Sequence, residues 1–147
     1  MIYTPLTIKA LKLSYQAHEG QFDKAGIPYI YHPYHLAEQM DSEYTVCAAL
    51  LHDTVEDTFV TLKELSGLFP PEVVHAVELL THEDHVPYIE YIRRIKPDPI
   101  ARAVKIADLR HNSDLSRFAV AKNVNENKLR QLREKYEKAL ELLLAED

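Results

Sequence analysis

Apolar residues recur every three or four positions along most of the chain, the spacing that gathers them on one side of an α-helix. Thr4 as N-cap with Pro5 at the first helical position opens a helix that runs to near Gly20. A turn through Gly26 and Pro28 follows, then a short helix opening at Pro33, directly after His32. Asp41 and Ser42 interrupt the pattern before Val46-Cys47-Ala48-Ala49-Leu50-Leu51, a run with no polar face that predicts a helix buried on every side. Thr61-Leu62-Lys63-Glu64 has the form of a capping box and starts a helix toward Leu68. Pro70-Pro71-Glu72 opens the next, with Val73, Val74, Val77, Leu79 and Leu80 on its apolar side. Further helices are predicted from Pro87 to Ile95 and from Asp98-Pro99 through Asn112. Leu129, Leu132, Tyr136, Ala139 and Leu143 predict a final helix over about 125–145, with Glu126/Arg130 and Glu134/Lys138 paired four apart on its outer surface. That helix reads as a packing element.

Alternation of strand type is missing; Pro28-Tyr29-Ile30-Tyr31 comes nearest and is short and proline-bounded. Together with only three glycines, this predicts an all-α fold. A length of 147 residues suits a single domain spanning 1–147 with one core, and no repeat, low-complexity stretch or linker divides it.

Charge narrows the function. A net charge of −6, from 17 basic and 23 acidic residues, gives no general attraction for nucleic acid or anionic membranes. An anionic substrate therefore needs local help from a metal or a basic pocket. The one cysteine, Cys47, excludes an internal disulfide framework and fits a reducing cytosol; inside the apolar run it reads as a small core residue. There is no signal-peptide pattern and no apolar stretch long enough to span a bilayer, so the expectation is a cytoplasmic protein. An oligomer is compatible with this pattern but not encoded in it.

The candidate chemistry sits directly after the buried run, in His52-Asp53-Thr54-Val55-Glu56-Asp57. Three carboxylates at the end of a buried helix are costly unless a positive charge neutralises them. A divalent metal does so, and also activates a water for hydrolysis. The bland alternative is a salt-bridged, N-capping surface turn. On a helix Glu56 lies four from His52 and three from Asp53, while Asp57 lies four from Asp53. His52 and Asp53 would then bind the ion, with Glu56 and Asp57 one turn beyond, beside the water. Adjacent residues project about 100° apart, so this pair cannot complete a coordination shell. Two distant candidates are His32, before a proline that opens a helix, and Asp108, late in Val104-Lys105-Ile106-Ala107-Asp108. Taken alone, each also reads as an ordinary core residue: a hydrogen-bonded histidine and a salt-bridged carboxylate.

The order His32, His52-Asp53, Asp108 resembles the HD-domain metal-dependent phosphohydrolases. The similarity is closer to the hydrolase domain of RelA/SpoT homologues and the small alarmone hydrolases. It is carried by Ala17-His18-Glu19-Gly20-Gln21, by Lys24-Ala25-Gly26-Ile27-Pro28-Tyr29-Ile30-Tyr31-His32-Pro33, by Ala48 through Thr58, and by Lys105-Ile106-Ala107-Asp108-Leu109-Arg110-His111-Asn112. It covers roughly residues 11–117. The resemblance implies an HD-domain helical bundle holding one Mn²⁺ through His32, His52, Asp53 and Asp108. It implies release of pyrophosphate from the 3′-diphosphate of (p)ppGpp, with Glu56 and Asp57 positioning or activating the water and Asn112 contacting the nucleotide. Lys24 and Lys105 are further substrate-binding candidates; Lys105 lies one helical turn before Asp108. These residues carry no synthetase or regulatory segment, so hydrolysis alone is expected.

One departure stands out. Where the family has adjacent basic residues, this chain has Asp23-Lys24, and Asp23 cannot lie against a guanine base and is expected to repel phosphate. His82 and His85 are expected in a polar surface loop rather than at a second metal; His18, His35, His75 and His111 are assigned no ligand role. Tyr29, Tyr31, Tyr88 and Tyr91 read as packing. The alternative functions are an HD phosphohydrolase of other nucleotides, such as nucleoside monophosphates, and a non-catalytic nucleotide-binding domain.

Overall fold

The computed structural model describes residues 1–114 and 125–146. Among them are nine helices: α1 Pro5–Ala17, α2 Tyr31–Glu38, α3 Glu43–Leu51, α4 Thr54–Asp57, α5 Leu62–Ser66, α6 Pro71–Leu80, α7 Tyr88–Ile95, α8 Pro99–Ser113 and α9 Glu126–Leu144. No strand forms among the described residues; one isolated bridge joins Phe22 to Pro28. The last part of the resembling stretch, 115–117, lies outside the described residues.

The all-α expectation holds, and its centre is the run without a polar face. Ser42 and Thr45 form a reciprocal capping box that starts α3, and every residue from Val46 to Leu51 is 0% exposed. Such a helix needs neighbours on all sides, and it packs against α1, α2, α6 and α8. Burying a leucine such as Leu50 or Leu51 contributes about 1.5–3 kcal/mol, so this helix anchors whatever follows its C-terminus. α9 lies across α8 and α7, with Ala139 and Leu143 fully buried. No helix among the described residues is long and apolar enough to cross a membrane.

Several boundaries differ from those read in the sequence. α1 ends at Ala17, with His18 as C-cap, and Gly20 takes φ +82° in the following turn. α2 opens at Tyr31, two residues before the expected start. The Tyr31 and His32 amides donate to the carbonyls of Pro28 and Tyr29 and so start the turn early. Pro33 then falls at the third helical position, where its missing N–H would have had no intrahelical partner anyway. α5 stops at Ser66 rather than reaching Leu68. On α9 the pair four apart that forms is Arg133–Glu137 at 3.0 Å, while Arg130 bonds Asn127 instead of Glu126.

Candidate metal centre and substrate cavity

The helix that carries His52 and Asp53 does not continue through them. His52 caps α3 in helical conformation, Asp53 turns the chain at φ −105°, and α4 begins at Thr54. Thr54 secures the corner by donating its hydroxyl to the Leu51 carbonyl at 2.8 Å. The pair thus sits at the end of the most buried helix. α2 brings His32 to it in its first turn, and α8 brings Asp108 in its third.

The four side chains converge. His32 Nε2 lies 2.8 Å from Asp108 Oδ1 and 4.0 Å from Asp53 Oδ2. His52 Nε2 lies 2.9 Å from Asp53 Oδ2 and 3.7 Å from Asp108 Oδ1. His32, His52 and Asp108 are 5%, 2% and 4% exposed, so water supplies little of their solvation.

The arrangement around each imidazole suits a cation. His52 Nδ1 donates to the Ala49 carbonyl at 2.7 Å, which fixes the ring so that Nε2 faces the cluster. That Nε2 is buried without a hydrogen-bond partner, although carboxylate oxygens stand close. With the ring proton on Nδ1, Nε2 presents a lone pair to carboxylate oxygens that can donate nothing to it, and an N/O set of two imidazoles and two carboxylates fits a divalent transition metal. The charge requirement points the same way. Burial resists a positive charge on His52, yet the Asp53 and Asp108 carboxylates pull its pKa well above the usual imidazole value.

A second layer of contacts, not anticipated from the sequence, orients these groups. His32 Nδ1 pairs with His111 Nδ1 at 2.7 Å, the two rings lying within 12° of parallel. Tyr29 donates its hydroxyl to Asp53 Oδ2, so it is more than the packing residue it resembled. Asp108 accepts from Lys105 Nζ at 2.8 Å and from Asn112 Nδ2 at 3.0 Å. Lys105 also sits 5.2 Å above the Tyr91 ring. Its ammonium, expected to meet phosphate, is therefore engaged with a candidate metal ligand and is absent from the cavity lining.

The carboxylates divide into two classes. Burial opposes ionisation of Asp53, but the His52 imidazole outweighs it and holds the carboxyl down to about 2. Burial likewise opposes ionisation of Asp108, and the Lys105 ammonium overcomes it, holding that carboxyl well below the usual range. Glu56 and Asp57 move the other way: burial raises both, and the Asp53 charge adds to it. Groups kept ionised suit ligation, and groups pushed upward suit exchange of a proton. One carboxylate oxygen from each of Asp53, Glu56 and Asp57 fits within 4.8 Å of the others. Gln21, itself hydrogen-bonded to His18 at 2.8 Å, donates to the Asp57 carbonyl at 3.0 Å and steadies α4.

A cavity of about 260 Å³ opens beside the cluster. Its lining comes from three places: His32 and Asn112 of α2 and α8, Phe22, Asp23, Lys24 and Tyr29 of the α1–α2 connection, and Leu129, Leu132, Arg133 and Tyr136 of α9. α9 therefore builds a wall of the cavity as well as packing against α7 and α8, which corrects its reading as packing alone. Asp23 has a structural task. Its Oδ1 accepts from the amides of Ala25 and Ile27 at 2.8 and 3.0 Å, closing the turn that delivers Tyr29 and His32. His82 and His85 lie in the loop between α6 and α7, as expected, and neither they nor His75 join a metal-type group among the described residues.

Two imidazoles and two carboxylates, from α2, α8 and the histidine-aspartate corner between α3 and α4 of an all-helical bundle, define a class. The chain belongs to the HD-domain family, whose profile matches residues 10–140. It is similar to a probable GTP pyrophosphokinase of Mycobacterium leprae, 38% identical over 123 residues, covering 75% of this chain and 16% of that protein. A GTP pyrophosphokinase of Streptomyces coelicolor is 34% identical over 147 residues, covering 88% of this chain and 17% of that protein. The chain thus spans about a sixth of the length of these curated relatives. Among solved structures, that of a metazoan ortholog of SpoT, described as hydrolyzing ppGpp and playing a role in starvation responses, superposes with a TM-score of 0.78 at 22% identity. The match covers 95% of this chain and 88% of that one, and shows that the fold is shared.

Proposed function

We propose that this protein is a Mn²⁺-dependent hydrolase of a 3′-phosphorylated nucleotide, acting as a (p)ppGpp 3′-pyrophosphohydrolase. The observation that carries this reading is the buried convergence of His32, His52, Asp53 and Asp108 beside a cavity of about 260 Å³. The relatives' names, and the ppGpp hydrolysis described for the metazoan ortholog, support the choice of nucleotide. The free, buried Cys47, its thiol pushed up to about 12 by burial, is compatible with a reducing cytoplasm.

His32, His52, Asp53 and Asp108 hold the ion. When bound, it supplies positive charge against the phosphate oxygens and lowers the pKa of water. Glu56 and Asp57, both raised in pKa, position the attacking water, and one of them accepts its proton. The water oxygen bonds to the phosphorus attached to O3′ and the P–O3′ bond breaks. Pyrophosphate is released, and the ribose oxygen takes up the proton that the carboxylate had accepted from the water. Asn112 and Lys24 line the cavity and contact the nucleotide. Lys105 acts one step back, holding Asp108 ionised and oriented.

The test is a nucleotide screen with added Mn²⁺, measuring pyrophosphate and orthophosphate separately. Pyrophosphate release from (p)ppGpp is expected. Orthophosphate alone, from any nucleotide, would replace this reading with the monophosphate-type one. Binding without turnover of any nucleotide would replace it with a non-catalytic domain.

A further inference from the structure

Glu56 is not left to find its own orientation. Its Oε1 accepts from the backbone N–H of His82 at 2.6 Å, across 26 residues of sequence. The donor lies in the α6–α7 connection, a segment without regular structure that nonetheless presents one amide to one carboxylate oxygen.

The side chain of the same histidine explains why. His82 Nε2 lies 2.6 Å from the Val86 carbonyl, and since a carbonyl only accepts, Nε2 carries the proton and donates. This bond ties the start of the loop to its end. The imidazole also lies over Tyr91, with ring centroids 4.5 Å apart and planes 25° from parallel. Tyr91 is fixed in turn: its hydroxyl donates to the Leu80 carbonyl at 2.7 Å, and Lys105 stands over its ring while bonding Asp108. A continuous chain of contacts therefore runs from Asp108 through Lys105, Tyr91 and His82 to Glu56. It joins the two sides of the site through groups that touch neither ion nor substrate.

We infer that His82 is a positioning residue: its side chain locks the loop so that its own N–H holds Glu56 Oε1, leaving Oε2 to address the water. The catalytic consequence rests on the hydrolase reading; the brace itself does not. A flexible Glu56 would still be present but would face the water only part of the time. Misplacing a catalytic group by about 1 Å is enough to cost up to 100-fold in rate.

Two measurements decide the matter. In the first, His82→Ala lowers kcat roughly 10- to 100-fold, with KM and Mn²⁺ stoichiometry unchanged. His82→Gln, which keeps a donor near the Nε2 position, recovers most of the rate. His85→Ala, in the same loop but with a side chain 79% exposed, behaves as wild type. A wild-type kcat in His82→Ala, or a loss carried by KM or by the metal, would overturn the assignment. So would His82→Gln failing to improve on His82→Ala. The second measurement needs no activity: amide hydrogen exchange at His82 in wild type and in Glu56→Ala. Faster exchange in Glu56→Ala supports the brace, and unchanged protection refutes it, even if no nucleotide is turned over or His82→Ala fails to fold.

Discussion

The two ends of the cavity are built on opposite terms. At the end proposed for the metal, His32, His52 and Asp108 are no more than 5% exposed, and α3 beneath them is fully buried from Val46 to Leu51. Each proposed ligand is also held by a second group: Ala49 on His52, His111 on His32, Tyr29 on Asp53, Lys105 and Asn112 on Asp108. At the substrate end, Phe22 is 63% exposed, Lys24 is exposed, and Arg133 is tied only at Nε by its helix neighbour Glu137. On the proposed function, the contrast means that cation position is set by the core, whereas substrate fit is set by a surface turn and one helix face. Damage should therefore be all-or-none at the first end and graded at the second.

The largest effect is expected at Asp108. Removing it in Asp108→Ala strips His32 and Lys105 of a carboxylate in a buried setting, and breaking a buried pair from one side costs about 3–5 kcal/mol. Urea denaturation should show that loss, and Mn²⁺ should no longer bind. Adding Lys105→Met to Asp108→Ala should restore part of the stability without restoring metal, because the orphaned ammonium is gone. If the double variant were as unstable as the single one, the Lys105 pairing would not be the source of the cost.

Asp53→Ala is expected to abolish metal retention and turnover together. In wild type, Mn²⁺ at 100 times its Kd should add about 2.7 kcal/mol to unfolding stability; in Asp53→Ala the added ion should change nothing. An equal gain in both proteins, measured by thermal unfolding, would place the ion elsewhere. Glu56→Gln separates the roles further. It should keep the metal and lose turnover by about 10²- to 10⁴-fold, and near-normal turnover would remove Glu56 from water handling.

The starting point of the cluster was legible in the sequence because it contradicts its surroundings. Carboxylates and a histidine following a run with no polar face had to be explained, and the family resemblance supplied His32 and Asp108. What stayed hidden depended on distance along the chain. His111 meets His32 across 79 residues, and Tyr29 meets Asp53 across 24. No periodicity announces such partners, although His111 stands beside Asn112 and Tyr29 three residues before His32 in the resembling motifs. The start of α2 was misread because a proline signals the beginning of a helix without saying which of its first positions it occupies. The role of α9 was missed for a related reason: Leu129, Leu132 and Tyr136 mark an inward face, but spacing does not say whether that face meets core or cavity.

His111 tests how far the rigidity of the metal end depends on its supports. In His111→Ala the His32 ring loses the partner of its Nδ1, and metal affinity should fall about 10- to 100-fold with little change in kcat once Mn²⁺ is saturating. Competition with a chelator reads the affinity, and kinetics at high Mn²⁺ read the rest. Unchanged affinity would mean that α2 alone orients His32.

The smallest effect is expected at Asp23, where the two ends of the comparison meet. Its carboxylate lines the cavity, yet its Oδ1 also closes the turn through the Ala25 and Ile27 amides. Charge and structure can be separated by two substitutions. Asp23→Asn keeps an oxygen that accepts both amides and removes the charge, so KM for an anionic nucleotide should fall about 2- to 5-fold, the scale of one weakly screened surface interaction, at unchanged stability. Asp23→Ala removes the charge and the acceptor together. It should lose about 1 kcal/mol of stability, and it should gain less in KM because Tyr29 and His32 are then delivered by a looser turn. Asp23→Arg places a cation where the family resemblance implies a basic residue, but at the expense of the same acceptor, so improved guanine-nucleotide use should appear only alongside lower stability. Identical KM and stability in Asp23→Asn and Asp23→Ala would show that the turn does not depend on this side chain, and that the substrate end is more tolerant than its hydrogen bonds imply.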